Sequence, residues 1–427
     1  MDNTVIVFVH LNGAPVPAGR LHMVEDSRYS RAEFDYGRRY LERPDAVAID
    51  PVQLPLTRGH HVTGPDFALF NGLRDAAPDR WGRLLIDMYM TRTEGRPASE
   101  AEFLLASQNG TRVGGLQFGP TPEAPGPVLD VQLPDVSSDL GTIEAFQEMV
   151  DLYTRGEDVP DALLDHVAPG SDLGGARPKG TVTIGGFPWL VKFGLESDRI
   201  NMAGAEAGCL DLCEKAGLPT CERMLTEVSG HSALLLRRFD RETSPDNTLH
   251  RKHMVSSMTL LGAHEFDRGM NGYADMVNAM RKHGEVRGVG ESVYTRMVMN
   301  VLTGNTDDHY RNHGFLLSGK GRYALSPVYD VTPSLQVSSS RSLFFHLGES
   351  GSGRDATLEN AVAAGPSMGV PPERAREVAN ALSDMVATQW RRVMDERGVS
   401  KSDVAMLENS FSEAGKIVPP SNDGPSV

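Results

Sequence analysis

At 427 residues the chain exceeds what one compact core usually holds, so two or three domains are expected. Apolar residues make up 40% and charged residues 23%, ordinary proportions for a soluble globular protein. A formal charge of −15, from 57 acidic against 42 basic residues, argues against nucleic-acid binding over the whole surface, which needs clustered Lys and Arg. It leaves room for a local basic patch or a DNA-binding partner.

The chain opens with the short apolar run Val5 to Val9, with no basic segment before it and an Asn12-Gly13 turn after it. This predicts a β-hairpin and not a signal peptide. No stretch approaches the roughly 20 apolar residues that span a bilayer. A cytoplasmic protein without a membrane partner is therefore expected. Residues 1–134 form a first region of mixed elements. Within it, "LFNGLRDAAPDRWGRLLIDMYM" predicts a turn entering an amphipathic helix, with Trp81, Leu84, Leu85 and Met88 on one stripe. The Pro-rich stretch from Gly119 to Asp135 is the best candidate for a domain boundary. A helix follows it, ending near Arg155-Gly156.

In the second region, 135–240, "PGSDLGGARPKG" (Pro169 to Gly180) holds four glycines, two basic residues and a serine. Glycines let backbone N–H groups converge, which suits a phosphate, but a plain turn-rich loop has the same composition. No Gly-Lys-Ser/Thr opens a helix there, so it is not a Walker A loop. Thr181 to Ile184 and Phe187 to Phe193 are predicted strands joined by Gly185-Gly186. Trp189, Val191 and Phe193 share one face and Leu190 and Lys192 the other. Taken alone, Lys192 is an edge-strand lysine with its head in water. A helix closed by Gly217 and Pro219 carries Glu206 in its first half, with Cys209 and Cys213 one turn apart. These two and Cys221 are expected to be buried thiols. Two strands around Ser229-Gly230 follow, with Ala233 to Leu236 deeply buried.

The third region, 241–415, is mostly helical, with a flexible tail expected over 416–427. A helix with Tyr294, Met297, Val298, Val301 and Leu302 on one stripe stops at Gly304. From its end hangs "TGNTDDHYRNHGF", which by composition alone suits a charged surface loop, a metal cluster or a catalytic loop. Another hairpin, Phe315 to Leu317 and Tyr323 to Val328, delivers Tyr329-Asp330. Asp307, Asn312 and Asp330 thus flank one hairpin. Phosphoryl transfer needs a carboxylate near the attacking hydroxyl and Mg²⁺ held by an Asn amide and an Asp carboxylate. Those groups stand here in protein-kinase order, with a strand Lys and a Gly-rich segment upstream.

"NTDDHYRNHGFLL" and "LSPVYDVTPS" resemble the catalytic and metal-binding segments of the HipA family of serine/threonine kinases, the toxin halves of bacterial toxin–antitoxin pairs. "GGARPKG" resembles that family's phosphate-binding loop, "LRRFDR" its interlobe crossing, and "FALFNGLRDAAPDRWGRLLI" its N-terminal subdomain. The resemblance implies an α+β, two-lobed protein-kinase-like fold of HipA type, with an N-terminal α/β subdomain, a nucleotide-binding lobe and a mostly helical C-terminal lobe. It implies Asp307 as the base receiving the substrate hydroxyl proton, Asn312 and Asp330 as Mg²⁺ ligands, and His309 beside the phosphates. Asp172, Leu173, Gly174, Gly175, Ala176, Arg177 and Lys179 would cover the ATP phosphates, and Lys192 would contact the α/β pair. The adenine would lie against Arg237 to Phe239, with Tyr329 bordering the site. Asp308 falls where the family varies and is expected to be solvated. The implied partners are a helix-turn-helix antitoxin, DNA only through it, and a protein of the translation machinery, with an aminoacyl-tRNA synthetase as the substrate class by analogy.

Three departures stand out. Many relatives carry an autophosphorylated serine in the Gly-rich loop, which switches the kinase off. Here that position is Asp172, with Ser171 one residue earlier as the candidate for the role. Arg237 stands where an acidic residue is common, whereas Arg311, where Lys is common, keeps the charge and is no departure. Asp330 is followed by Val331-Thr332, not Phe-Gly. Two other readings remain: a kinase-shaped co-repressor with weak or no transfer, and a metal-dependent hydrolase using Asp307, His309 and Asp330.

Overall fold

The computed structural model describes residues 4–25, 30–129, 140–160, 177–335 and 340–420. Contacts divide the chain into two compact units. The first comprises Met1–Ser197, Glu222–His264 and Gly314–Ala324; the second comprises Asp198–Cys221, Glu265–His313 and Leu325–Val427.

The first unit begins with strands β1 (Thr4–Leu11) and β2 (Ala14–Glu25), the expected hairpin. Its turn has Asn12 at φ 48° and Gly13 at φ 86°, the left-handed pair that a tight hairpin needs. Strands β3 (Ser30–Tyr36), β4 (His60–Val62) and β5 (Leu116–Gly119) complete an antiparallel sheet in the order β4-β3-β2-β1-β5. Its core includes Val7, Leu21, Phe34, Leu104 and Phe118. The predicted amphipathic helix is α1 (Arg80–Glu94). Asp79 caps it, accepting from Gly82 N at 2.8 Å. Trp81 and Leu85 are buried there, with Leu84 and Met88 packed at the edge of the same cluster.

A second sheet has the order β6-β7-β9-β8. Its strands are β6 (Lys179–Ile184), β7 (Phe187–Lys192), β8 (Arg223–Val228) and β9 (His231–Arg237). Both predicted turns appear, with positive φ at Gly185, Gly186, Ser229 and Gly230. Trp189, Val191 and Phe193 face one core with Phe146 and Leu235, as the alternation requires. A third sheet orders β10 (Met254–Ser256), β11 (Gly314–Leu317) and β12 (Tyr323–Leu325). The last strand is shorter than expected: Tyr323 to Val328 does not continue as one ladder. Val328 instead bridges Thr220.

The second unit is helical. Helix α2 (Met202–Lys215) buries Cys209 and Cys213, and Cys221 is also buried. Helices α3 (Tyr273–His283), α4 (Val289–Thr303) and α5 (Pro372–Glu396) follow. Among the described residues no helix is long and apolar enough to cross a membrane.

Candidate active site

Helix α4 is the mount for the loop that follows. It is buried on nearly every side, not on one stripe only, from Val293 through Thr303. A helix held that way places whatever leaves its end reproducibly. It ends at Gly304, φ 67°, where a Cβ would come within 2.5 Å of the Ser410 carbonyl oxygen. Asn305 N then donates to Asn300 O at 2.9 Å, and Ser334 N donates to Gly304 O at 3.1 Å. Thr306 and Ser334 share a hydroxyl hydrogen bond of 2.7 Å.

The loop turns tightly on itself. His309 N donates to Asp307 O at 2.8 Å and Asn312 N to His309 O at 2.9 Å. Asn312 Nδ2 donates to the Asp307 carbonyl at 3.0 Å, which fixes the amide plane. Its Oδ1 is buried with no hydrogen-bond partner. A buried amide oxygen is costly unless something polar reaches it. A hard cation fits that need. Among the described residues no three His, Cys, Asp or Glu side chains converge on one point. An amide oxygen of this kind is a hard donor, of the type Mg²⁺ prefers.

Tyr310 Oη reaches Asn271 Oδ1 at 2.7 Å and Asp267 O at 3.0 Å, with its ring edge-on to Phe344 and Phe345. Tyr329 Oη donates to Arg311 O at 2.5 Å, joining the segment before Asp330 to the loop. Asp330 itself sits at φ 57°, a conformation Asp tolerates better than most residues. Asp307 is exposed, and its carboxyl is pushed up from its ordinary range, first by partial burial and then by the charge of Asp330, against His309 and Arg268. Burial pushes the His309 imidazole down, against the pull of Asp330 and Asp307. Asp307, His309, Asn312, Tyr329 and Asp330 thus belong to one connected neighbourhood of the second unit.

Asp308 is not solvated as expected. It is 3% exposed, and its Oδ2 accepts from Tyr273 Oη at 2.5 Å, Asn300 Nδ2 at 2.6 Å and His313 Nε2 at 2.8 Å. These three partners were missed from the sequence. The available signal was Asn300, a polar residue on an apolar helix, and a histidine right after Asn312.

The first unit holds the remaining candidates. Lys192 is not a solvated edge lysine: β7 lies inside the sheet and Lys192 is 5% exposed. Lys179 pairs with Asp79 at 3.0 Å, both fully buried. Arg177 Nε donates to Phe193 O at 3.0 Å. Arg237 lies 4.0 Å over the Phe187 ring and 3.3 Å from Glu222. Phe239 is half-buried. Next to it Asp240 is bonded by Arg238 and Arg241 and accepts from Gly114 N at 2.7 Å. Burial alone would raise Asp240, but the two guanidiniums hold it well below the carboxylate range. Ser171, Asp172, Leu173, Gly174, Gly175 and Ala176 lie outside the described residues.

A family model described as the HipA-like C-terminal domain matches residues 171–390, just over half of the chain. The chain belongs to that family. A solved HipA structure from Shewanella oneidensis MR-1, in complex with HipB and operator DNA, covers 95% of this chain and of its own, at 15% identity and a TM-score of 0.63. This HipA-like chain therefore has the two-lobed HipA fold, with sheets and helices both present. A protein of Sinorhizobium fredii named "Putative kinase Y4dM" is 28% identical over 136 residues, 32% of this chain. The HipA-like chain spans only 31% of that curated relative's length. The Helicobacter pylori proinflammatory kinase CtkA matches 55% of this chain at 14% identity and a TM-score of 0.35, too slight to argue from.

Proposed function

We propose that this chain is a Mg-ATP-dependent serine/threonine protein kinase and the toxin of a HipBA-like module. The carrying observation is the pairing of an exposed Asp307 with a buried, oriented and unsatisfied Asn312 Oδ1 one short turn away. A surface loop does not need such an oxygen, and a hydrolase built on Asp307, His309 and Asp330 leaves it without a task.

Asp307 accepts the proton of the acceptor hydroxyl as that oxygen attacks the γ-phosphoryl group. Asn312 and Asp330 would hold Mg²⁺, which neutralises charge on the phosphates. His309, kept neutral by burial at physiological pH, supplies a hydrogen bond near them. Lys192 contacts the α/β-phosphates. Following the resemblance, Gly174 to Lys179 cover the phosphates, and Arg237 to Phe239 border the adenine. The acceptor is a protein of the translation machinery, and the chain's partner is a helix-turn-helix antitoxin like the HipB of the Shewanella complex. If Asp172 stands by the phosphates as the resemblance implies, it favours the second reading, a co-repressor with weak transfer, because its charge opposes nucleotide binding.

The test is label transfer from ATP with Mg²⁺, onto the chain itself and onto lysate proteins. Asn312→Ala is expected to lower transfer by about 10²-fold or more, the scale of removing one preorganised electrostatic contact. Wild-type transfer that Asn312→Ala and Asp307→Asn leave unchanged would sink the assignment. Nucleotide binding without transfer in the wild type would favour the co-repressor. Label lost in Ser171→Ala would place autophosphorylation there.

A further inference from the structure

Resting on the kinase reading, we propose that Asp308 is a positioning residue that sets the catalytic loop and the backbone of Asp330 through one shared hydrogen-bond network. Its Oδ2 takes three donors, from α3 (Tyr273), from α4 (Asn300) and from the far side of the loop (His313). Tyr273 Oη also receives Asn300 Nδ2 at 3.2 Å, so the donors are themselves linked. Asn300 then passes the connection on. Its Oδ1 accepts from Asn305 Nδ2 at 3.0 Å, and the same Nδ2 lies 3.5 Å from the Asp330 carbonyl, the longest link of the chain.

The network therefore joins the loop around Asp307 and Asn312 to the backbone of Asp330. Asp307 precedes the hub, Asn312 precedes its His313 arm, and Asp330 closes its far branch. Beside it lies a small pocket lined by Asp308, Asn312, His313, Arg296, Tyr329 and Cys213 among others. Aromatic packing holds the hub rigid: His313 stands edge-on to Tyr273 at 5.7 Å and to Phe345 at 5.6 Å. A carboxylate serves here better than an amide because three donors converge on one oxygen, and charge strengthens each bond. Its burial is tolerable because it is so fully bonded.

The test compares Asp308→Ala, Asp308→Asn and Asn305→Ala in the full chain. Two readouts are used: amide hydrogen exchange without nucleotide, and label transfer with its kcat and KM for ATP. For Asp308→Ala, exchange should rise in 304–313 and in 328–334 together, and kcat should fall about 10²-fold with KM little changed. Asp308→Asn can still present one oxygen to the three donors and should recover part of both. Asn305→Ala cuts only the far branch and should loosen 328–334 alone, which keeps the proposal testable if Asp308→Ala fails to fold. Exchange that rises evenly over the second unit, or stays unchanged at 328–334 in all three variants, overturns it. So does an Asn variant no better than Ala. Absent transfer in the wild type would overturn the kinase reading, while the exchange pattern would still decide the network.

Discussion

Asp307 carries opposing demands in one side chain. In the proposed role of proton acceptor it must be ionised, yet burial and Asp330 push its carboxyl up. Transfer should therefore fall on the acid side at a pH above the ordinary aspartate value of 3.8. Asp307→Asn should lower kcat by about 10²- to 10⁴-fold, the usual worth of a general base, and lose that acid limb. Stability should move the other way. A carboxyl raised in the fold resists ionisation there, so its ionised form costs stability, with no cost below the ordinary value of 3.8 and a growing one as pH climbs through the raised value. Asp307→Asn should melt higher than wild type at pH 7, and the gap should close toward pH 3.8. Melting curves of both proteins across that range check the sign; a variant less stable at pH 7 contradicts it. The placement of Asp307, Asn312 and Asp330 around one hairpin was legible in the sequence because spacing is a property of the chain itself. Asp308 was not legible in this way. Its partners stand 35, 8 and 5 residues away, and only the fold brings them to one oxygen.

Among the elements, those with local signals could be read in advance. Four hairpin turns declare themselves by Gly, Asn and Ser at positions that take positive φ, and α4 by its period and its terminal Gly304. The burial of α4 on its polar side was hidden, because Arg296 and Asn300 find their partners elsewhere, the Ser326 carbonyl and Asp308, while Thr303 turns its hydroxyl back to the Met299 carbonyl of its own helix. Strand β10 was missed for another reason: three residues cannot display an alternation. Glycine at helix ends gives the prediction for this scale. Gly304 and Gly217 both follow helices of the second unit at positive φ, 67° and 81°. A Cβ at Gly217 meets nothing within 4 Å, whereas one at Gly304 meets the Ser410 carbonyl at 2.5 Å and Arg341 Nη1 at 2.7 Å. Gly217→Ala should cost about 1 kcal/mol, the backbone strain alone. Gly304→Ala should cost clearly more and should also weaken transfer, since it moves the root of the catalytic loop. Urea unfolding of the two variants ranks them, and equal costs would mean that the neighbours of Gly304 give way freely.

For the molecule as a whole, the net charge of −15 is the property with the widest reach. The order β4-β3-β2-β1-β5 places two strands from distant parts of the chain, β1 and β5, side by side, and no local pattern announces such a pairing. Charge, by contrast, is legible from composition alone, and it bears on how a toxin of this kind would meet DNA. Phosphate contacts release counterions only where Lys and Arg cluster, and each contact steepens the loss of affinity with salt. With 57 acidic against 42 basic residues, long-range repulsion works against this chain approaching a duplex by itself. A basic helix-turn-helix partner would reverse the sign of the surface presented to the duplex. The chain alone should therefore leave the fluorescence anisotropy of a labelled duplex unchanged at 200 mM salt. Together with the proposed helix-turn-helix antitoxin it should raise the anisotropy, with a salt slope no steeper than that partner's own. Tight binding by the chain alone, falling steeply between 50 and 200 mM salt, would show that a local basic patch outweighs the net charge and would remove the reason for routing DNA through the partner.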